Sequence, residues 1–160
     1  MTLLGTGGSA GVPMIGGADG QGDWGACDPG EVRNRRTRSS IIIENSRNQR
    51  LLIDTSPDMR AQFLAGRVPG ADAVLFTHAH ADHIMGLDDA RRFNALRGGS
   101  LDVWADERTF STLSRCFGYA FREPDPAERL FRPHLIHRDI RGPFDIAGQT
   151  WTPIPLLHGD

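Results

Sequence analysis

Lysine is missing from this chain altogether: each of its 18 basic residues, in a sequence of 160, is arginine. The absence excludes a Schiff-base lysine, a phosphate-loop lysine and a Ser-Lys nucleophile pair, all of which need a primary amine. Cysteine is almost as scarce. Cys27 and Cys116 are too few for a disulfide framework, which points to a reducing, cytoplasmic setting. No apolar run approaches the roughly 18 residues that span a bilayer, and Met1 is not followed by a basic and then apolar leader. A dominant charge is lacking as well: 18 basic residues against 20 acidic ones give a formal net charge of −2, which argues against a protein that coats nucleic acid. What remains is the composition of one folded domain, since at this length roughly 68–70% of the unfolded surface can be buried without disulfides.

Glycine is in excess, and the excess is local: ten of the 19 glycines fall within the first 30 residues. Thr2–Leu4 reads as a short strand. From Gly5 to about Arg38 neither a period of 2 nor one of 3.6 is present, so a long functional loop is expected there. Ser40–Glu44 and Arg50–Asp54, centred on Ile41-Ile42-Ile43 and Leu51-Leu52-Ile53, read as a hairpin whose strands are covered on both faces. Ser56-Pro57 predicts a helix start, with the helix running to Ala65 and ending at Gly66. Ala73–Thr77 reads as a buried strand, Asp88–Arg97 as a helix closed by Gly98-Gly99, Leu101–Trp104 as a strand, and Asp106 as the cap of a helix ending near Phe117. Cys116, beside Phe117, is expected to be a buried apolar residue, whereas Cys27 has no C-x-x-C partner and no zinc site is expected around it. Residues 119–133, with Pro124, Pro126 and Pro133, read as a lid-like loop. Leu135–Ile140, Phe144–Ile146 and Gln149–Leu157 supply the last strands. The mixture fits an α/β fold built as a helix-covered sheet sandwich better than an all-parallel, doubly wound one.

The sharpest signal is Thr77-His78-Ala79-His80-Ala81-Asp82-His83, which places three of the six histidines and a carboxylate within six residues, directly after a buried strand. In extended chain His78 and His80 project to the same side and can reach one ion. If a helix begins at Asp82, that carboxylate and His83 face a second. Imidazole and carboxylate without sulfur suit an open, reactive Zn²⁺, Mn²⁺ or Fe²⁺ site better than a structural zinc cage.

This segment resembles the signature metal motif of the metallo-β-lactamase-fold hydrolases. The run Gly5-Thr6-Gly7-Gly8-Ser9-Ala10-Gly11-Val12-Pro13 is similar to the phosphodiesterase branch of that family, which includes the phosphoribosyl cyclic phosphate phosphodiesterases and the tRNA 3′-end-processing endonucleases. Trp24-Gly25-Ala26-Cys27-Asp28-Pro29, the arginine cluster leading to Ser39-Ser40, the stretch Leu52–Asp58 and Gly86-Leu87-Asp88-Asp89 look like the cyclic-phosphodiesterase-like bacterial hydrolases, so the likeness extends over essentially the whole chain.

The resemblance implies an αββα sandwich, with residues 1–160 as a single domain that forms its amino-terminal portion. It implies that His78, His80 and His158 hold the first metal while Asp82 and His83 contribute to the second. Asp82 also orients the attacking hydroxide, and Asp54 orients the histidine loop through hydrogen bonds. Two divalent ions, zinc or manganese, would generate that hydroxide near neutral pH and stabilise charge on phosphorus. The family pattern further requires a bridging aspartate and a final histidine downstream of His158, where two residues remain. The expectation is therefore two ions in the complete enzyme and one in this chain, read either as part of a longer protein or as a shortened form. His134 and His137 match no family position and read as ordinary surface or core histidines.

The amides of Gly7, Gly8 and Ser9 offer an anion-binding nest, and Arg36 a phosphate contact; a plain tight turn and a solvated charged loop are the alternatives. Three functions compete: hydrolysis of a small cyclic or nucleotide-like phosphodiester, hydrolysis of a thioester, lactone or β-lactam by the same metals, and metal binding without catalysis. The expected partner is a small-molecule phosphodiester, with no membrane. Nucleic acid is the weaker expectation, for want of a basic, glycine-rich arm, and a homodimer is open.

Overall fold

The computed structural model describes residues 1–123 and 132–158, so most of the loop expected over 119–133 lies outside the described residues. The elements in chain order are β1 (Thr2–Gly5), β2 (Ser40–Glu44), β3 (Arg50–Ile53), α1 (Met59–Ala65), β4 (Ala73–Leu75), α2 (Ala81–Ile84), α3 (Arg91–Arg97), β5 (Leu101–Ala105), α4 (Glu107–Phe117), β6 (Leu135–Asp139), β7 (Phe144–Ile146) and β8 (Gln149–Trp151). Single 3-10 turns lie at Val32–Asn34, Leu87–Ala90 and Gly118–Phe121.

The first six strands form one sheet in sequence order, and β7 and β8 pair as a separate hairpin. β1 and β2 are antiparallel, as are β2 and β3, whereas β3 to β6 are mutually parallel. Five of the six strands therefore point the same way, and the loops leaving β1, β3, β4, β5 and β6 emerge along one rim. In sheets of this kind, that carboxyl rim is where binding chemistry collects.

The β2–β3 hairpin forms because two β-branched and leucine-rich runs flank a polar turn that closes on itself. Asn45 Oδ1 accepts from the amides of Arg47 and Gln49, and Asn48 takes up the left-handed φ of 60° that asparagine tolerates. Ile42 then stands opposite Leu52, which lies beside Val74. These residues, with Leu101, Val103, Met59, Phe63, Phe93, Leu113 and Phe117, make the main core under the helices. The opposite face buries Leu51, Ala73 and Ile146, with Trp104 stacked on Phe144 at 4.9 Å. Both faces are thus covered, as the apolar runs suggested, but unequally: Leu3 on β1 is 56% exposed.

The helix expected over Asp88–Arg97 divides into the 3-10 turn Leu87–Ala90 and α3, and four further details differ from the sequence-based expectation, each for a local reason. α1 starts at Met59 and not at Ser56-Pro57, because Ser56 folds into a turn in which its Oγ accepts from the Asp58 amide and its carbonyl from the Met59 amide. β4 stops at Leu75, since the Thr77 amide leaves the ladder for the Asp54 carboxylate. β8 stops at Trp151 and does not reach Leu157, where Pro153 and Pro155 cannot donate to a ladder. Cys116 is exposed and not buried: α4, capped by Asp106 Oδ1 accepting from the Thr109 amide at 2.8 Å, turns Thr109, Leu113 and Phe117 inward, and Cys116 lies one residue off that i, i+4, i+8 stripe. No helix among the described residues is long and apolar enough to cross a membrane.

Candidate metal centre

The centre is assembled where β3 and β4 leave the sheet. Asp54, the first residue past β3, adopts φ 60° and donates its amide to the Leu75 carbonyl at 2.9 Å. Its neighbour Thr55 donates to the His83 carbonyl at 2.7 Å, accepts from the Gly86 amide at 2.9 Å, and places its hydroxyl 3.1 Å from the Ile84 carbonyl. The histidine segment is therefore stitched, backbone to backbone, onto the β3 exit. The approach is so close that a Cβ at Gly86 would stand 2.1 Å from the Ser56 carbonyl oxygen, so only glycine fits.

The Asp54 side chain, 6% exposed, collects three donors: Oδ1 accepts from the Thr77 amide at 2.8 Å, and Oδ2 from the Thr77 hydroxyl and from His83 Nδ1–H, each at 2.7 Å. The resemblance implies that Asp54 orients the histidine loop, and these are the hydrogen bonds it makes to that loop. The same contacts fix the proton on His78. Thr77 Oγ1 spends its one proton on Asp54, so at 3.0 Å from His78 Nδ1 it can only accept. His78 therefore carries Nδ1–H, and its Nε2 presents a lone pair.

That Nε2 atom is buried and has no hydrogen-bond partner. The metal-binding nitrogens of His78, His80 and His158 all lie within 4.8 Å of one another, and the His158 ring centroid stands 4.8 Å from that of His78 and 5.1 Å from that of His80. His158 arrives on the irregular segment after β8, not on a strand, yet reaches the two motif histidines. An orphaned imidazole lone pair facing two further imidazoles is costly unless a Lewis acid takes it; on this ground the residues fit a divalent ion such as zinc or manganese.

His83 packs against His78, with ring centroids 4.1 Å apart, and its Nε2 lies 3.4 Å from Asp82 Oδ2. The hydrogen bond to Asp54 raises the His83 pKa above the ordinary imidazole value, with burial opposing and the Asp54 and Asp82 charges adding to it. Burial lowers that of His78, and the neighbouring imidazoles push the same way. The two adjacent rings are thus driven apart, His78 toward the neutral form that ligates.

The other sequence candidates fall elsewhere. The Gly7 amide is already committed to the Thr37 carbonyl at 2.7 Å, so Gly7 cannot supply the amide expected of it. Gly8 and Ser9 sit in an exposed turn closed by the Gly11 amide on the Gly8 carbonyl at 2.9 Å. Arg36 pairs with Val12 through its backbone and leaves its side chain exposed. His134 is buried and tied to Asn94 by backbone contacts, while His137 stacks on Phe110 at 3.6 Å with Nε2 3.0 Å from the Ala105 carbonyl, so both are built into the β6 flank. The sequence reading gave Thr77 and Ser40 no role. The Ser40 hydroxyl, on a 2% exposed residue, reaches the Asp54 carbonyl at 3.0 Å, and the one available signal for Thr77 was its position directly before the motif.

Residues 49–160 match a family model described as the beta-lactamase superfamily domain. An octanoyltransferase of Porphyromonas gingivalis (strain ATCC BAA-308 / W83) is 36% identical over 158 residues, a match that covers 98% of this chain and 30% of that protein. Among solved structures, a diphosphatase from the PhnP family superposes with a TM-score of 0.81 at 33% identity, covering 98% of this chain and 56% of that one. Zn²⁺-bound PqqB from Methylobacterium extorquens shares the fold, with a TM-score of 0.59 at 22% identity and coverage of 89% and 47%. The chain thus spans between 30% and 56% of the length of these relatives.

Proposed function

Since the chain belongs to the beta-lactamase superfamily, with the α/β sheet-and-helix architecture of the metallo-β-lactamase fold, we propose that it carries the metal centre of a hydrolase acting on small phosphodiesters. The observation that carries this reading is the buried, unpartnered Nε2 of His78, on a ring that together with His80 and His158 offers ligand nitrogens within 4.8 Å of one another. The similarity to a diphosphatase supports phosphorus as the atom attacked.

In this reading His78, His80 and His158 hold one divalent ion, zinc or manganese, and Asp82 and His83 contribute to a second. A bound ion supplies Lewis acidity that makes water acidic near neutral pH and offsets charge on the phosphoryl oxygens. Asp54 keeps the His83 ring turned and, through Thr77, keeps the His78 proton on Nδ1. Asp82 orients the attacking water and receives its proton at a carboxylate oxygen. The exposed turn at Gly8 and Ser9, on the same rim as the histidines, offers amides to the non-bridging oxygens.

The test is turnover of bis-p-nitrophenyl phosphate, a cyclic nucleotide and a diphosphate diester by protein loaded with Mn²⁺ or Zn²⁺, alongside metal analysis. Hydrolysis that disappears in His78→Ala together with bound metal is the expected result. Metal-loaded protein without turnover of any of the three overturns the proposal. The octanoyltransferase relative favours one second reading, hydrolysis of an acyl thioester or ester. It predicts release of octanoate from an octanoyl thioester by the same loaded protein, with the phosphodiesters untouched.

A further inference from the structure

We propose that the consecutive amides of Gly8, Ser9 and Ala10 form a binding site for phosphoryl oxygens and that Arg38 is the positioning residue that aims it. The inference rests on the phosphodiester reading above but is carried by a separate set of contacts. Among the described residues these three amides donate to no protein acceptor, and Gly8, Ser9 and Ala10 are all exposed. A free amide in a mobile turn is merely hydrated. These are not free to turn, because in a planar trans peptide the carbonyl and the following N–H point in opposite directions, and each of the three carbonyls is held.

The Gly7 carbonyl, which shares a peptide plane with the Gly8 amide, accepts from the Ser39 hydroxyl at 3.1 Å. The Gly8 carbonyl, paired with the Ser9 amide, accepts from the Gly11 amide at 2.9 Å. The Ser9 carbonyl, paired with the Ala10 amide, accepts from Arg38 Nε at 3.0 Å. Three successive donors are thereby fixed while left unpaired, and glycine at 7, which admits the close approach of the 36–37 backbone, and at 11, with φ 72°, lets the chain make so tight a turn. Gly7 could not be replaced: a Cβ there would stand 2.8 Å from the Arg36 carbonyl oxygen.

Arg38 ties this turn to the metal centre. While Nε holds Ser9, Nη1 donates to Asp58 Oδ1 at 3.0 Å and the Arg38 amide donates to Asp58 Oδ2 at 2.9 Å. Both side chains are about three-quarters buried, at 26% and 25% exposed. Asp58 ends the same β3–α1 turn that begins with Asp54, and the Asp54 carbonyl is held by Ser40, two residues past Arg38. The segment 38–40 is thus gripped by the glycine turn on one side and by the Asp54–Asp58 turn on the other. A guanidinium can serve both partners at once because its donors lie in a fixed fork; a lysine in its place could satisfy one.

The test uses inorganic phosphate as probe and amide NMR as readout, on protein freed of metal by a chelator. The expected result is a saturable shift of the Gly8, Ser9 and Ala10 amide signals on adding phosphate. Arg38→Met should weaken that binding about tenfold, as expected for loss of a charged hydrogen bond. In metal-loaded protein the same change should raise KM for bis-p-nitrophenyl phosphate about tenfold, with kcat within about threefold and metal content unchanged. If Arg38→Met does not fold, Ser39→Ala, which releases the Gly7 carbonyl, should weaken phosphate about threefold. Amide signals that ignore phosphate, or variants that bind it as the wild type does, overturn the inference. Phosphate binding at the turn without any phosphodiester turnover would instead sink the proposed function and leave the turn standing.

Discussion

Asp54→Asn is the sharpest probe of how the histidine centre is held. Asparagine has nearly the same shape and tolerates the left-handed φ of 60° that Asp54 adopts, so the substitution changes hydrogen bonding and charge with little backbone cost. The carboxylate accepts from the Thr77 amide at 2.8 Å and from the Thr77 hydroxyl and His83 Nδ1–H at 2.7 Å each. An amide cannot accept all three. With its oxygen toward Thr77 Oγ1 and His83, its NH₂ confronts the Thr77 amide; reversed, the NH₂ faces His83 and drives that ring to the other tautomer. The first orientation leaves a donor unmet at a site only 4% exposed and the second forces a change of tautomer, while both lose a charge-assisted bond, a cost on the order of 2–4 kcal/mol. For a chain of this size that corresponds to a fall in Tm of about 5–15 °C. Affinity for Zn²⁺, measured by competition with a chelator, should drop about 10–100-fold, as when the carboxylate behind a ligating histidine is removed. Nitrogen-detected NMR of the imidazoles should show a changed His83 or His78 tautomer. A variant with unchanged tautomers, Zn²⁺ affinity within about twofold of wild type and stability within about 0.5 kcal/mol would refute the account of Asp54.

Gly86→Ala should destabilise the fold by about 3 kcal/mol or more in urea unfolding, since its Cβ would meet the Ser56 carbonyl oxygen at 2.1 Å, whereas Gly99→Ala, with nothing within 4 Å, should be neutral or mildly stabilising; equal effects would discredit the close-approach argument. Tyr119, the chain's one tyrosine, should ionise at about 12 in native protein and near 10.0 in denaturant, because burial and then the hydrogen bond to Asp88 both favour the neutral phenol. Its raised value means that this contribution to stability is whole below pH 10.0 and is lost as pH climbs toward about 12; a native tyrosinate absorbance midpoint at the ordinary value would contradict it. Both thiols should react with a thiol reagent without denaturant, and Cys116→Ser should change stability by less than about 0.5 kcal/mol, since Cys27 and Cys116 are each exposed; a masked Cys116 would show that the α4 stripe is misplaced.

Much of this was readable from residue types alone where period and chemistry coincide. The alternation of His78 and His80 past an apolar strand set both rings toward one point, and His158 joined them there. The resemblance gave Asp54 its role, but its means of exerting it passes through Thr77, whose hydroxyl looks like any other in a sequence. His158 was expected at a strand end; Pro153 and Pro155 deny the ladder its donors, and an irregular segment delivers the ring instead. Cys116 was misjudged because an apolar neighbour, Phe117, says little on a helix, where residues four apart share a face. The glycine-rich run was legible as a tight turn, but which of its amides are spent depends on partners some 30 residues away, at Thr37, Arg38 and Ser39, beyond the reach of any local pattern.

The shared direction of β1, β3, β4, β5 and β6 has a practical consequence for anyone who wishes to alter this protein. The turn joining β2 to β3 lies at the rim opposite the histidines, a strand length of about 13 Å away along the four residues of β3. Its tip at Ser46 and Arg47 is exposed, while Asn45 anchors its base to the Ala147 carbonyl at 2.8 Å. A peptide tag or reporter domain spliced between Ser46 and Arg47 would hang from the far side of the sheet. The rim that bears the histidine cluster would remain open for libraries of replacement loops.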